Sequence, residues 1–145
     1  MLKIVATLVL LVSLTSVVSP QSKTGTAAGL PRGQTAWSAG HWLNGTWEGT
    51  GYQTDNDETW TMKLTVRGNR YKIEYPSLKC GGKWIPLSIK TSRARFIEKV
   101  TLGIETCTDN GNVVVERLSR RQIAYRYANR GTREVTASAI LNRKK

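Results

Sequence analysis

Glu98 is the residue whose placement decides most about chemistry. In Ala94-Arg95-Phe96-Ile97-Glu98-Lys99-Val100 it shares the parity of Ala94, Phe96 and Val100, so a regular strand would turn its carboxylate inward with the apolar side chains. A carboxylate taken out of water needs a partner. An interior Arg or a Tyr hydroxyl would make Glu98 a structural anchor or the polar end of a binding site, whereas a one-residue bulge near Ile97 would return it to solvent. A paired-carboxylate site, for example with Glu74, is possible in principle, but neighbouring strands supply such pairs by chance. Ser-His-Asp and Cys-His arrangements would both depend on His41, the single histidine. One His and two Cys cannot build a multi-ligand zinc centre without help from carboxylates. The expectation is therefore no catalytic set, no cofactor and no metal.

Aromatic and basic residues supply the other candidates. Trp47, Trp60, Trp84, Tyr71, Tyr75, Tyr125 and Tyr127 could line a pocket for a sugar, a lipid or an aromatic ligand, or fill a core. The binding candidates are Trp47, Trp60, Tyr75, Trp84, Glu98, Tyr125, Arg126 and Arg143. Lys and Arg number 22 against 10 Asp and Glu, a net charge of +12, and the excess is uneven. Residues 41–62 hold Glu48, Asp55, Asp57 and Glu58 with no Lys or Arg, while the basic residues lie beyond. Such asymmetry steers a protein toward anionic partners: an anionic surface, a polysaccharide or lipid, or an acidic protein. A solvated basic surface that aids solubility is the competing reading.

The N-terminus bears on which of these partners fits. Lys3 precedes the uncharged run Ile4 to Val18, the pattern of a secretory signal peptide and a short stretch for a membrane span. We read 1–22 as signal, 23–40 as a Gly-, Ser- and Thr-rich leader, and 41–145 as one domain that is secreted or periplasmic. Export argues against nucleic acid as the physiological partner. In an oxidising compartment Cys80 and Cys107, the only two cysteines, are expected to form a disulfide. That bridge would close a loop of about 28 residues, worth roughly 3.5 kcal/mol in the chain-entropy model.

The elements that must hold these residues are strands. Trp60, Met62, Leu64 and Val66 alternate with Thr61, Lys63, Thr65 and Arg67, the period of a half-buried strand. Gly68-Asn69 makes a two-residue connection to Tyr71, Ile73 and Tyr75 on the next. Gly81-Gly82 reads as a tight turn and Asn110-Gly111 as a hairpin turn into Val113-Val114-Val115. Ile123, Tyr125 and Tyr127 share one face, and Val135, Ala137, Ala139 and Leu141 another. Turn signals at this spacing separate about eight or nine strands, and no segment keeps a helical period. The predicted fold is all-β: an antiparallel up-and-down meander closing into a small barrel, which removes exposed edges.

Gly45-Thr46-Trp47 at the start of the first strand resembles the Gly-x-Trp opening of the calycin families, the lipocalins, fatty-acid-binding proteins and avidins. The resemblance implies a barrel whose base is closed by Trp47 beside an Arg of the last strand, the place of Arg143. A second block, Tyr75-Pro76-Ser77-Leu78-Lys79-Cys80-Gly81-Gly82-Lys83-Trp84 with Phe96-Ile97-Glu98 and Cys107, is similar to a pattern in small exported bacterial domains and implies no activity. The chain is shorter than typical lipocalins, which leaves less room for a deep cavity. The expected function is non-enzymatic binding through the basic surface or an open barrel end. The alternative is an exported inhibitor of a host or competitor enzyme, such as a lysozyme, presenting the Ser77–Lys83 segment as a loop.

Overall fold

The computed structural model describes residues 41–145, so the signal and leader assigned to 1–40 lie outside the described residues. Eight strands form one closed antiparallel barrel in simple chain order. They are β1 (Gly45–Gln53), β2 (Thr59–Arg67), β3 (Arg70–Tyr75), β4 (Cys80–Ile89), β5 (Arg93–Leu102), β6 (Asn112–Arg117), β7 (Gln122–Ala128) and β8 (Val135–Arg143). β1 pairs with both β2 and β8, so no strand edge is left open. The meander and its closure match the sequence expectation, at eight strands.

Alternation of side chains fills the barrel. Trp60, Met62, Leu64 and Val66 of β2 point inward and are buried, while Thr61, Lys63 and Thr65 between them face outward. The same alternation buries Tyr71, Ile73 and Tyr75 of β3 and Ile123, Tyr125 and Tyr127 of β7. In β5 the parity holds from Ala94 through Phe96 and Glu98 to Val100. The irregular pairings of β5 with β4 fall opposite Gly81/Gly82 and Pro86/Ser88 rather than at Ile97, so Glu98 keeps its inward direction.

One end of the barrel is plugged. A single 3-10 turn, His41–Leu43, enters there, and Trp47 donates its indole N–H to the Leu43 carbonyl at 2.7 Å. The Arg143 guanidinium lies 4.1 Å from the Trp47 ring centre and donates to the carbonyls of Asn44 and Trp42. Above this plug the rings of Tyr71, Phe96, Trp84 and Tyr125 pack in sequence, with centres 4.9 to 5.7 Å apart and only Trp84 and Tyr125 stacked. The lower half of the barrel is thus a packed aromatic core.

Two turn assignments need correction. Gly81 and Gly82 lie inside β4, and the connection before it is a 3-10 turn, Pro76–Leu78, ended by Lys79 at φ 54°. A Cβ on Gly82 would collide with the backbone of Lys99, so the glycines permit close strand approach, not reversal. Asn110-Gly111 is not a two-residue hairpin turn. Asn110 alone has positive φ, and the pair ends a longer loop by exchanging backbone hydrogen bonds with Glu98. The bare Gly111 leaves room for the Tyr127 ring above it. The Ser77–Lys83 segment is likewise no free loop, since Lys83 and Cys80 belong to β4 and Ser77 exchanges hydrogen bonds with Thr61.

Candidate functional site

The end opposite the plug is open. There β1 ends and β2 begins, and the connections 54–58, 76–79, 103–111 and 129–134 surround a cavity of about 650 Å³. Side-chain size is uneven around the barrel. On the inner face of β1 and β8 stand Gly49, Gly51, Ala137 and Ala139, facing aromatic residues on β2, β3 and β7. A Cβ at Gly51 would come within 2.5 Å of the Trp60 ring, so the glycine lets that indole lie flat against β1 beside the opening.

Glu98 forms the polar floor. It is 2% exposed, and the Tyr75 hydroxyl donates to both of its carboxylate oxygens at 2.8 Å. Trp84 adds its indole N–H at 3.1 Å. No Lys or Arg is paired with it among the described residues. Burial pushes the Glu98 carboxyl up to about 7, against the pull of the Tyr75 and Trp84 hydrogen bonds, and Asp109 adds a small upward push. The neighbouring phenols are raised by the same burial, Tyr127 to about 12, so each stays a neutral donor.

Backbone and loop contacts fix this floor in place. The Glu98 N–H donates to the Gly111 carbonyl at 2.9 Å, and its carbonyl accepts from Asn110 at 3.0 Å. Asp109 accepts from the Val100 N–H at 2.8 Å and pairs with Lys99, which tethers the returning loop to β5. The Cys80–Cys107 disulfide ties the same loop to the start of β4. Thr106, Cys107 and Thr108 line the cavity, so the bridge fixes one wall of the mouth.

Two polar groups in this region have no partner. Trp60 and Tyr127 both line the cavity and are 8% and 9% exposed, and neither the Trp60 Nε1 nor the Tyr127 Oη makes a hydrogen bond. Such orphans are uncommon in folded proteins because an unmade buried hydrogen bond is costly. They are the two such side-chain atoms among the described residues, and both sit at this opening.

Of the eight binding candidates, Trp60, Tyr75, Glu98 and Tyr125 meet at the cavity. Trp84 lies just below, touching Glu98 from the packed core. Trp47 and Arg143 form the plug at the far end. Arg126 is on the outer wall, paired with Glu116 at 2.7 Å. Glu74 also faces outward, bound to Lys72 at 2.8 Å, so it forms no carboxylate pair with Glu98. His41 is exposed at the plugged end. The rim residues Asp55, Glu58 and Asn129 escaped sequence reasoning because loop side chains carry no period, although the acidic stretch 55–58 was visible as a charge feature. Comparison of the chain with protein-family models, with curated proteins and with solved structures finds no match.

Proposed function

We propose that this protein is a non-enzymatic, calycin-like binding protein, exported from the cell, whose barrel mouth holds a small ligand. The observation that carries the reading is an open cavity of about 650 Å³ walled by Trp60, Tyr125 and Tyr127 and floored by Glu98, a buried carboxyl with no Lys or Arg paired to it among the described residues. A cavity of this size, lined by aromatic rings with a few convergent polar groups, suits a small molecule. The Gly45-Thr46-Trp47 opening and the Arg143 stack on Trp47 support the calycin part of the proposal. The lining supports binding as the reading, since its one thiol is bonded in a disulfide and it contains no histidine.

Heteronuclear NMR gives the test, because Trp60 at the mouth and Trp47 in the plug report on opposite ends. A panel of small polar aromatics spanning amines, alcohols and carboxylates is expected to shift the Trp60 indole N–H and leave that of Trp47 in place. Silence at Trp60 across the panel would overturn the small-ligand reading.

A second reading, binding to an anionic polymer or lipid surface, is favoured by the outer face of β2 and β3. Lys63, Arg67, Arg70 and Lys72 surround a shallow groove there with one carboxylate, Glu74, paired to Lys72; Arg67 lies directly opposite Arg70 and Lys72 opposite Lys83 of β4. Like charges placed opposite each other on a sheet are unfavourable, and an anionic partner relieves them. This face and the mouth are separate sites on one barrel, and both can be occupied.

A further inference from the structure

We infer that the mouth takes a small organic cation, an alkylamine carried on an aromatic body, with its ammonium on Glu98. The inference rests on the reading of the mouth as a small-ligand site and assigns that ligand's class.

The charge of the lining carries it. In a chain with 22 Lys and Arg against 10 Asp and Glu, the cavity is lined by Asp55, Glu58 and Glu98 and, among the described residues, by no Lys or Arg. A lining drawn evenly from this composition would hold more cations than carboxylates. Lys79, Arg130 and Arg133 sit on connections around the mouth but do not line the cavity, and most other basic side chains occupy the outer walls and the plugged end, so the lining itself is negative in a positive protein. Low-dielectric walls focus such a field and concentrate cations within it.

The hydrogen-bonding inventory agrees. An ionised carboxylate can accept about four hydrogen bonds. Glu98 receives the Tyr75 hydroxyl, shared between its two oxygens, and the Trp84 N–H, which leaves acceptor capacity and an uncompensated charge for an ammonium. The Trp60, Tyr75, Tyr125 and Tyr127 rings suit an aromatic body and add cation–π attraction. A ligand carboxylate would meet three carboxyl groups and is disfavoured.

Binding should also depend on pH in a defined sense. The groups around Glu98 are Tyr75 on β3, Trp84 on β4, Tyr125 and Tyr127 on β7, and Asp109 on the β5–β6 loop. The phenols are neutral and Asp109 is ionised, its carboxyl held low chiefly by the Lys99 hydrogen bond. With the Glu98 carboxyl at about 7, an ammonium must displace its proton below neutrality, and affinity falls there.

The test titrates the protein with tyramine, tyrosol and 4-hydroxyphenylacetate, which place an ammonium, a hydroxyl and a carboxylate on one phenol frame. Binding is read at the Trp60 N–H at about pH 8 and about pH 5.5, either side of the Glu98 titration. At the higher pH tyramine should bind about 10-fold or more tighter than tyrosol, the value of a hydrogen bond to a charged group. That advantage should shrink at the lower pH and vanish in Glu98→Gln, with the loss for tyramine larger than any change for tyrosol, since the amide keeps the cavity shape but carries no charge. Glu58→Gln at the exposed rim gives a second readout, a smaller and salt-sensitive loss for tyramine alone, should Glu98→Gln fold poorly. Tyrosol or 4-hydroxyphenylacetate binding as tightly as tyramine would overturn the cation assignment and leave the small-ligand reading standing. No binding by any of the three at Trp60 would overturn the cation assignment, and silence across the wider panel would remove the small-ligand reading with it.

Discussion

A carboxyl group buried without a cation makes a barrel more stable in acid than at neutrality, the reverse of a salt-bridged carboxylate. For Glu98 the sign follows from its raised carboxyl, about 7 in the folded barrel against 4.5 for an ordinary Glu. Below the unfolded value both states hold the proton and Glu98 costs nothing. Between the two values the unfolded chain ionises first, and folding loses roughly 3 kcal/mol as pH rises. Above about 7 both states are ionised and the loss is complete. Glu98→Gln, which mimics the neutral acid, should therefore match wild type near pH 4 and exceed it by roughly 2–3 kcal/mol above neutrality. Urea unfolding of both proteins across this range tests the point, and a difference independent of pH would refute it. The inward direction of Glu98 was legible in the sequence because strand parity depends only on the count from Phe96. Its partners were not, since Tyr75 and Trp84 come from other strands whose register is set by the closed ladder. The missing partners of Trp60 and Tyr127 are a property of the folded cavity and have no sequence signature.

At the scale of elements, alternation and turn chemistry made β2, β3 and β7 readable, and short connections made the meander the economical topology. The failures at Gly81-Gly82 and Asn110-Gly111 share a cause. In both places glycine is needed because another part of the barrel comes close, Lys99 in one case and the Tyr127 ring in the other, and local turn propensity cannot see a tertiary neighbour. The 103–111 loop lacks any apolar period, yet it builds one wall of the mouth because three tethers hold it: the Cys80–Cys107 bridge, Asp109 on Val100 and Lys99, and the backbone exchange with Glu98. Removing the bridge with Cys80→Ser and Cys107→Ser should cost roughly 3.5 kcal/mol of stability. Hydrogen exchange should then speed up at Thr106 to Thr108 while the β2, β3 and β7 amides stay protected. Uniform loss of protection through the barrel would mean that the bridge holds the whole fold, not the mouth.

For the whole molecule, net charge proved a poor guide to any single site. The value of +12 pointed to anionic partners, but the cavity lining holds carboxylates and no Lys or Arg, while many of the cations collect on the β2–β3 wall and beside the plugged end and Lys79, Arg130 and Arg133 stand outside the lining on mouth connections. Arg67 and Arg70 flank one plugged-end turn, Lys90 and Arg93 a second, and Arg117, Arg120 and Arg121 a third. Sequence order hid this arrangement because a meander returns to the same end at every second turn, so residues far apart in the chain share one rim. Such a barrel can dock by its base and walls while its mouth faces away. The anionic-surface reading then predicts that heparin and anionic vesicles retain the protein at low salt and release it as salt rises, through counterion release and screening. Replacing Arg67, Arg70 and Lys72 together by Gln should lower the salt concentration of elution and leave tyramine binding within about 2-fold, because removing surface cations changes the mouth only through screened long-range field. Loss of tyramine binding in that triple variant would join the two sites, and retention unchanged by it would move the anionic contact away from this wall.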